Sequence, residues 1–458
     1  MLRRNAMSLE DGQFRRDLIN ERLSEADIND AITELNLRRS MGQNLGKYFL
    51  GENPTILARK TQEKESPNNK IGVPYARKLI NTVLGYMFKP GSIQLNVDDE
   101  DYQEVLNSIF FDNGADSKTS KLGKHASIFG VAYEVHYTNN PTGNNPTPRF
   151  APVPPEDFLP VYSNDIEPEI VAAIHRYTEN NGREHINIYY EDIIRSYVAP
   201  RTIAYFGDMS FSEDTEHGYG MVPVAVYRNN DELTGDYEHI LKLLDAYDIL
   251  MSDSMNEFDR FAWAYLVLKN LAMSEEDLKD VKKRRVFEVF ENGGVEFLTK
   301  DIQHEFISYM KGWIKEEIHN QTHIPDMSDE NFAGNQSGIA IRYKLNDLEN
   351  IASTKEIGFR EGLHRRIQLL TAFLRTQGFN PVNRRSLKIT FNHNIPANLE
   401  EQSKIIANLR GHVSHKTILD QVASFVDDST EEIERLNEER DVLGGLDEEE
   451  PEEPLNEE

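Results

Sequence analysis

From Gly235 to Lys269 apolar side chains recur in steps of three and four: Tyr237, Ile240, Leu241, Leu244, Tyr247, Met251, Met255, Phe258, Ala262 and Tyr265. That spacing draws one stripe down a single predicted helix. At 1.5 Å per residue the helix would be roughly 50 Å long, more than a small domain is wide. Its stripe must therefore meet something beyond its hairpin partner. The rest of its surface is acidic, with Asp236, Glu238, Asp245, Asp248, Asp253, Glu257 and Asp259 against Lys242, Arg260 and Lys269. A second helix is predicted over 301–321, with Phe306, Met310, Trp313, Ile314 and Ile318 on one face. The polar stretch PDMSDENFAGNQSG follows it. A third long helix runs from Ser337 to about Thr376, with Gly358 and Gly362 as places where it could bend.

Upstream the pattern is helical, then changes period. Ser24-Glu-Ala-Asp sets an N-cap with an acid three residues on, opening a helix through Ile28, Ile32, Leu35 and Leu45 that Gly51 ends. Pro74 suits a first helical turn ahead of Ile80, Val83, Leu84 and Met87, and two more helices are predicted over 101–111 and 116–129. Residues 131–137, 149–153, 169–177, 186–190, 196–205 and 222–227 are short runs rich in β-branched and aromatic residues, separated by Gly, Pro and Asn. They read as one antiparallel sheet, and with the preceding helices as one α+β domain. Between the two long helices, 274–283 reads as a helix, and 284–290 and 295–299 as strands joined by Glu291-Asn-Gly-Gly. A lone hairpin is marginal in water, so neighbours must complete it. Residues 386–392 read as a strand, followed by helices over 398–410 and 414–425 and a third opened by the capping box at Ser429.

Charge sharpens this picture. The 458 residues carry a net charge of −28 and no cysteine, which removes disulfides and thiolate metal sites. Residues 427–458 hold sixteen acids and two arginines, a net −14, so half the charge sits on the last helix and its tail. From about Val442 the tail LGGLDEEEPEEPLNEE is too poor in apolar residues to fold. No run of eighteen apolar residues is present, so no membrane span is expected. So negative a chain is a poor clamp for duplex DNA through phosphate neutralisation.

No catalytic motif survives inspection. Gly42-Gln-Asn-Leu-Gly-Lys-Tyr is one residue short of a P-loop and lacks its Ser/Thr. Gly334-Asn-Gln-Ser-Gly lacks the spacing of a nucleophile elbow. His319 and His323 stand at i,i+4 but find no third ligand nearby, and a polar helix C-terminus is the simpler reading. Asp98-Asp-Glu-Asp lacks the glycine and the last glutamate of a calcium loop. His136, His175 and His185 read as ordinary sheet residues, and Lys118, Lys121 and Lys124 as a solvated helix face. No cofactor and no metal is expected, and no enzymatic activity.

Four blocks nevertheless carry a specific resemblance: YFLGENPTILARK (48–60), PNNKIGVPYARKLINTVLGYMFKPGSI (67–93), MSDSMNEFDRFAWAYLVL (251–268) and PDMSDENFAGNQSGIAIRYKL (325–345). In this order they resemble portal proteins of tailed bacteriophages, of the type found in long-tailed phages of Gram-positive hosts. The resemblance implies a mainly helical α+β fold that assembles as a ring, dodecameric in virions, around a DNA channel. It implies a wing over 1–234, stem helices over 235–270 and 301–324, a clip over 271–300, a tunnel loop over 325–337, a long wing helix over 338–376, a crown over 377–441 and a disordered acidic tail over 442–458.

The same resemblance points to site residues. Asp329, Glu330, Asn331, Phe332, Asn335 and Gln336 would face DNA from the tunnel loop, where amides touch phosphates without gripping them. Arg284, Arg285, Glu288, Asn292 and Glu296 would meet partners from the clip. The implied partners are the terminase large subunit, a head-completion adaptor, the scaffold and major capsid proteins, and the double-stranded DNA passing through. The chain would sit at the capsid portal vertex after assembly in the host cytoplasm. An acidic wall then makes sense, because neutralised phosphates would resist sliding. Two rival readings are an unrecognised metal-dependent hydrolase and an elongated phage scaffold.

Overall fold

A computed structural model of the chain describes residues 13–18, 22–60, 66–139, 146–262, 265–269, 294–298, 304–327, 338–379, 387–393, 407–409, 412–421 and 432–438. The chain divides into two compact units, Met1–Met327 with Asp347–Asn394, and Ser328–Asn346 with Ile395–Glu458. The fold is mainly helical α+β, as the pattern predicts.

In the first unit, α1 (Glu25–Leu50) starts at the predicted capping box: Ser24 Oγ accepts from the Asp27 amide, and the Asp27 carboxylate accepts from the Ser24 amide. The P-loop-like glycine Gly42 lies inside this helix, where a Cβ would come within 2.9 Å of Glu156 Cβ. It is a packing glycine. A short helix α2 (Pro54–Leu57) and α3 (Tyr75–Met87) follow. Strand β2 (Ile93–Asn96) precedes α4 (Glu100–Asn113), which Asp99 caps, so the Asp98–Asp101 acids are a helix start. Helix α5 (Ala115–Phe129) completes the helical half.

The expected single sheet is two. Strands β1 (Phe14–Arg15), β5 (Phe158–Tyr162), β6 (Ile170–Thr178), β7 (Glu184–Tyr189), β8 (Ile193–Ala199) and β9 (Ser210–Glu216) form a six-stranded sheet in that order, parallel only between β1 and β5. Strands β3 (Val131–Asn139), β4 (Thr147–Val153) and β10 (Val224–Arg228) form a second, with β3 central. Three strands of the larger sheet, β1, β5 and β9, lie outside the expected runs, and the two longer ones do so for physical reasons. Pro160 interrupts β5, and all seven side chains of the edge strand β9 are exposed, so it shows no apolar alternation. Ile28, Ala31, Ile32 and Leu35 of α1 pack on Leu159, Ile174 and Ile188 of the larger sheet.

Helix α6 (Leu241–Ala262) is shorter than the pattern predicts. Beyond it Tyr265–Lys269 is a strand, β11, antiparallel to β12 (Gly294–Leu298). Those 22 residues of helix span about 33 Å. Helices α7 (His304–Thr322) and α8 (Gly338–Thr376) follow. Gly358 and Gly362 of α8 have a packing role. A Cβ on Gly358 would collide with the Arg228 carbonyl, and one on Gly362 with the Tyr227 ring, so both permit close packing on β10. Strand β13 (Lys388–Phe391) pairs with β2, although the two lie almost three hundred residues apart.

A buried ion cluster ties α8 to the three-stranded sheet. Arg366 donates from Nε and Nη2 to Glu134 at 2.9 and 2.7 Å, and from Nη1 to Thr119 Oγ1 at 3.0 Å. His136 Nε2 lies 3.0 Å from Glu134, and Tyr227 Oη donates to it at 3.2 Å. Burial alone would raise the Glu134 carboxyl, but Arg366 and His136 hold it at about 2. Lys355, also buried, reaches Asp236 at 2.6 Å and Ser127 at 3.1 Å. In the second unit, α9 (His415–Gln421) is capped by Ser414, whose hydroxyl accepts from the Thr417 amide at 3.3 Å.

Candidate functional site

The middle of α6 is buried on its polar side. Asp248, Ser252 and Asn256 stand at i, i+4 and i+8, each at most 5% exposed. Residues 53–60 and 66–73 lie across this row, and three backbone amides of the second run are spent on it. Val73 N donates to Asp248 Oδ1 at 3.0 Å, Ile71 N to Ser252 Oγ at 3.0 Å, and Asn69 N to Asn256 Oδ1 at 2.7 Å. Asn53 Nδ2 donates to Asp248 Oδ2 at 2.8 Å, and Arg59 pairs with Asp253. Burial pushes the Asp248 carboxyl up, against the pull of Val73 and Asn53. Without these partners a buried carboxylate would be costly. This segment acts as a strap over α6.

The apolar stripe of α6 is only half used. Leu244 and Tyr247 are buried, but Met255 and Phe258 are 40 and 60% exposed. Helix α7 divides in the same way. Ile314, Ile318 and Thr322 are buried, while Phe306, Tyr309 and Trp313 are 57, 67 and 46% exposed. The predicted single face over Phe306–Ile318 is therefore two faces, one turned inward and one bare.

The exit of α7 is fixed. His319 Nδ1 lies 2.7 Å from the Ile324 carbonyl, and Nε2 lies 2.9 Å from Tyr75 Oη. Burial pushes this imidazole below its ordinary value, so it stays neutral with one nitrogen donating and one accepting. His323 takes a left-handed φ of 55° that turns the chain. Asp326 then receives Lys78 Nζ at 2.7 Å and also Lys315. The i,i+4 histidines thus hold a turn, and among the described residues no group of three or more His, Cys, Asp and Glu could hold a metal. Fixing Asp326 sets where the chain departs toward Asp329, Glu330, Asn331, Phe332, Asn335 and Gln336, which lie outside the described residues.

Arg284, Arg285, Glu288 and Asn292 also lie outside them, as does the predicted strand 284–290. Glu296 is on β12, in register with Val267. The described partner of β12 is β11, from the residues assigned to the end of the first long helix, so that helix stops short of its expected end. The β-branched and aromatic run Tyr-Leu-Val-Leu suits a strand as well as a helical stripe. Of the three lysines on α5, Lys118 is not freely solvated. It reaches Asn113 at 3.1 Å, and its ammonium lies over the Phe150 ring, as Lys124 does over Phe49. His175 and His185 are sheet residues, His185 stacked on Tyr177 at 4.9 Å.

A match to the family described as phage portal protein, SPP1 Gp6-like, covers residues 29–442. The chain belongs to this portal protein family. The portal protein of Bacillus phage SPP1 is 24% identical over 423 residues, spanning 86% of this chain and 82% of that one. The portal protein of Clostridium phage phiCD119 is 24% identical over 415 residues, spanning 85% of this chain and 88% of that one. A neck structure of a native GTA particle, computed with C12 symmetry, covers 82% of this chain and 91% of its own at 11% identity and a TM-score of 0.46. The chain functions as a phage portal protein, a virion component. Neither the hydrolase nor the scaffold reading finds support in these matches. The blocks 67–93 and 251–268 are distant in sequence, and Ile71–Ser252 and Asn69–Asn256 join them. One signal could have found the contact: the row Asp248, Ser252, Asn256 at helical spacing, running along the flank of the apolar stripe.

Proposed function

We propose that this portal protein assembles as a closed ring, twelve-fold in the virion, whose axial channel passes double-stranded DNA at one capsid vertex. The observation that carries the ring is the bare apolar surface of α7. Phe306, Tyr309 and Trp313 recur at i, i+3 and i+7, and nothing among the described residues covers them. A repeated apolar face on one helix suits heterologous contact between identical subunits, which closes as a ring. Residues 1–234 and 338–376 act as wing, α6 and α7 as stem, 271–300 with β11 as clip, and 377–441 as crown. The clip residues Arg284, Arg285, Glu288, Asn292 and Glu296 receive the terminase large subunit and later the head-completion adaptor. The scaffold and major capsid proteins surround the ring. ATP is spent by the terminase.

The fixed base at Asp326 supports a loop aimed from a defined point, with Asn331, Asn335 and Gln336 lining the narrowest ring beside Asp329, Glu330 and Phe332. Each such side chain is repeated around the axis. Asn335→Lys would set a circle of ammonium groups against the phosphates and make the hold on DNA salt-dependent. Packaging per particle is expected to fall or stall at low salt with ring assembly intact, while Asn335→Asp is mild. If the Asn335→Lys ring packages as well as the unmodified one at low salt, the loop does not line the channel.

A further inference from the structure

A cavity of 1410 Å³ opens in the first unit, between the six-stranded sheet, β10 and α8. Its floor is apolar, with Ile170, Met221 and Val226. The arginines around it are committed: Arg22 to Asp192 at 2.8 Å, Arg228 to Glu361 at 2.7 Å, and Arg365 to the Val222 carbonyl at 2.9 Å. The lining carboxylates Glu169, Glu191 and Glu216 are exposed, and no side-chain partner is found for them among the described residues. The uncommitted charge of the cavity is therefore negative, and its fitting occupant is a chain segment with both apolar and basic side chains.

Such a segment starts at the cavity itself. Gln13, the first described residue, lines it, and its Oε1 is buried without a hydrogen-bond partner. The preceding sequence is MLRRNAMSLEDG, with apolar Leu2, Met7 and Leu9 and basic Arg3 and Arg4. Ten residues separate Arg3 from Gln13 and reach at most roughly 35 Å when extended. We propose that residues 1–12 occupy this cavity in their own subunit, with the leucines and Met7 on the apolar floor and Arg3 and Arg4 against Glu169, Glu191 and Glu216. The segment then latches the larger sheet to α8. This inference does not depend on the ring.

The absence of cysteine makes the test clean. Asn5→Cys with Met221→Cys in the full chain retains every charge, and Asn5→Cys with exposed Phe111→Cys serves as the control. Under mild oxidation the cavity pair is expected to form an intrachain disulfide at least tenfold faster than the control, read by mass spectrometry of the unreduced digest. Adding Arg3→Glu and Arg4→Glu, which touches no core residue, is expected to slow it at least tenfold. Equal rates for the two pairs would overturn the proposal. So would a rate unmoved by the charge reversal, or an interchain product, which would place the segment of a second copy in the cavity.

Discussion

Helices α6 and α7 each carry a patterned face, and the two are finished in opposite ways. On α6 the polar row Asp248, Ser252, Asn256 is buried, and the strap from Asn53 to Val73 satisfies it bond by bond. On α7 the aromatic row Phe306, Tyr309, Trp313 is bare. A polar row can be buried by one chain when backbone amides are brought to it, because each group then keeps a partner. An aromatic row needs only area, and a second copy supplies area as well as the chain itself does. The difference teaches which contacts hold the subunit together and which are left for assembly.

The covered side breaks most severely at Lys355. Its ammonium balances Asp236, just ahead of α6, where both side chains are almost fully buried. Burial pushes the ammonium below its ordinary value, and Asp236 offsets this. Lys355→Met leaves an unpaired buried carboxylate and is expected to cost about 3–5 kcal/mol in denaturant unfolding. A loss under 1 kcal/mol would mean that the pair is not buried as described.

Acid acts on the covered interior next. His125 is pushed down to about 4 by burial and then by Lys121 and Lys124, and His175 to about 4 by burial. Both are neutral in the fold. Between pH 6.5 and 4 the unfolded chain binds their protons and the folded chain does not, so stability is lost as pH falls through that window. Each histidine removes about 2 kcal/mol by pH 5. Denaturant midpoints at pH 7 and pH 5 measure this, and His175→Phe should roughly halve the part of the difference that the two histidines supply.

A smaller effect tests the strap directly. Asp248→Ala strands the Val73 amide and Asn53, at a cost of about 2 kcal/mol. Hydrogen exchange at Ile71 and Val73 should rise while that of β6 and β7 stays slow. Unchanged exchange at Val73 would show that the strap is held by something other than α6.

Much of this fold was legible because its helices announce themselves. Ser24 caps where its spacing says, and Gly51 ends α1 in a left-handed turn. The failures share a cause. The stripe over 235–269 counts apolar residues and cannot know that Met255 and Phe258 stay outside, nor that 265–269 leaves the helix for a strand. Periodicity reports amphipathicity, and the choice of buried face is made by the rest of the chain. Pairing of β2 with β13 and of the strap with α6 is long-range, and no local pattern encodes it. The family was readable from four blocks, whereas the residues expected to touch DNA and partners were named from resemblance alone.

The central claim is that the bare face of α7 is where one subunit meets the next. The direct measurement is native mass with negative-stain views of the full chain and of a Tyr309→Asp, Trp313→Asp variant. The unmodified chain is expected to give closed rings with a central hole. The variant is expected to give folded monomers whose unfolding free energy moves by no more than about 0.5 kcal/mol, since both side chains are exposed in the subunit. A stable folded monomer of the unmodified chain at micromolar concentration, or rings from the variant, would contradict the account.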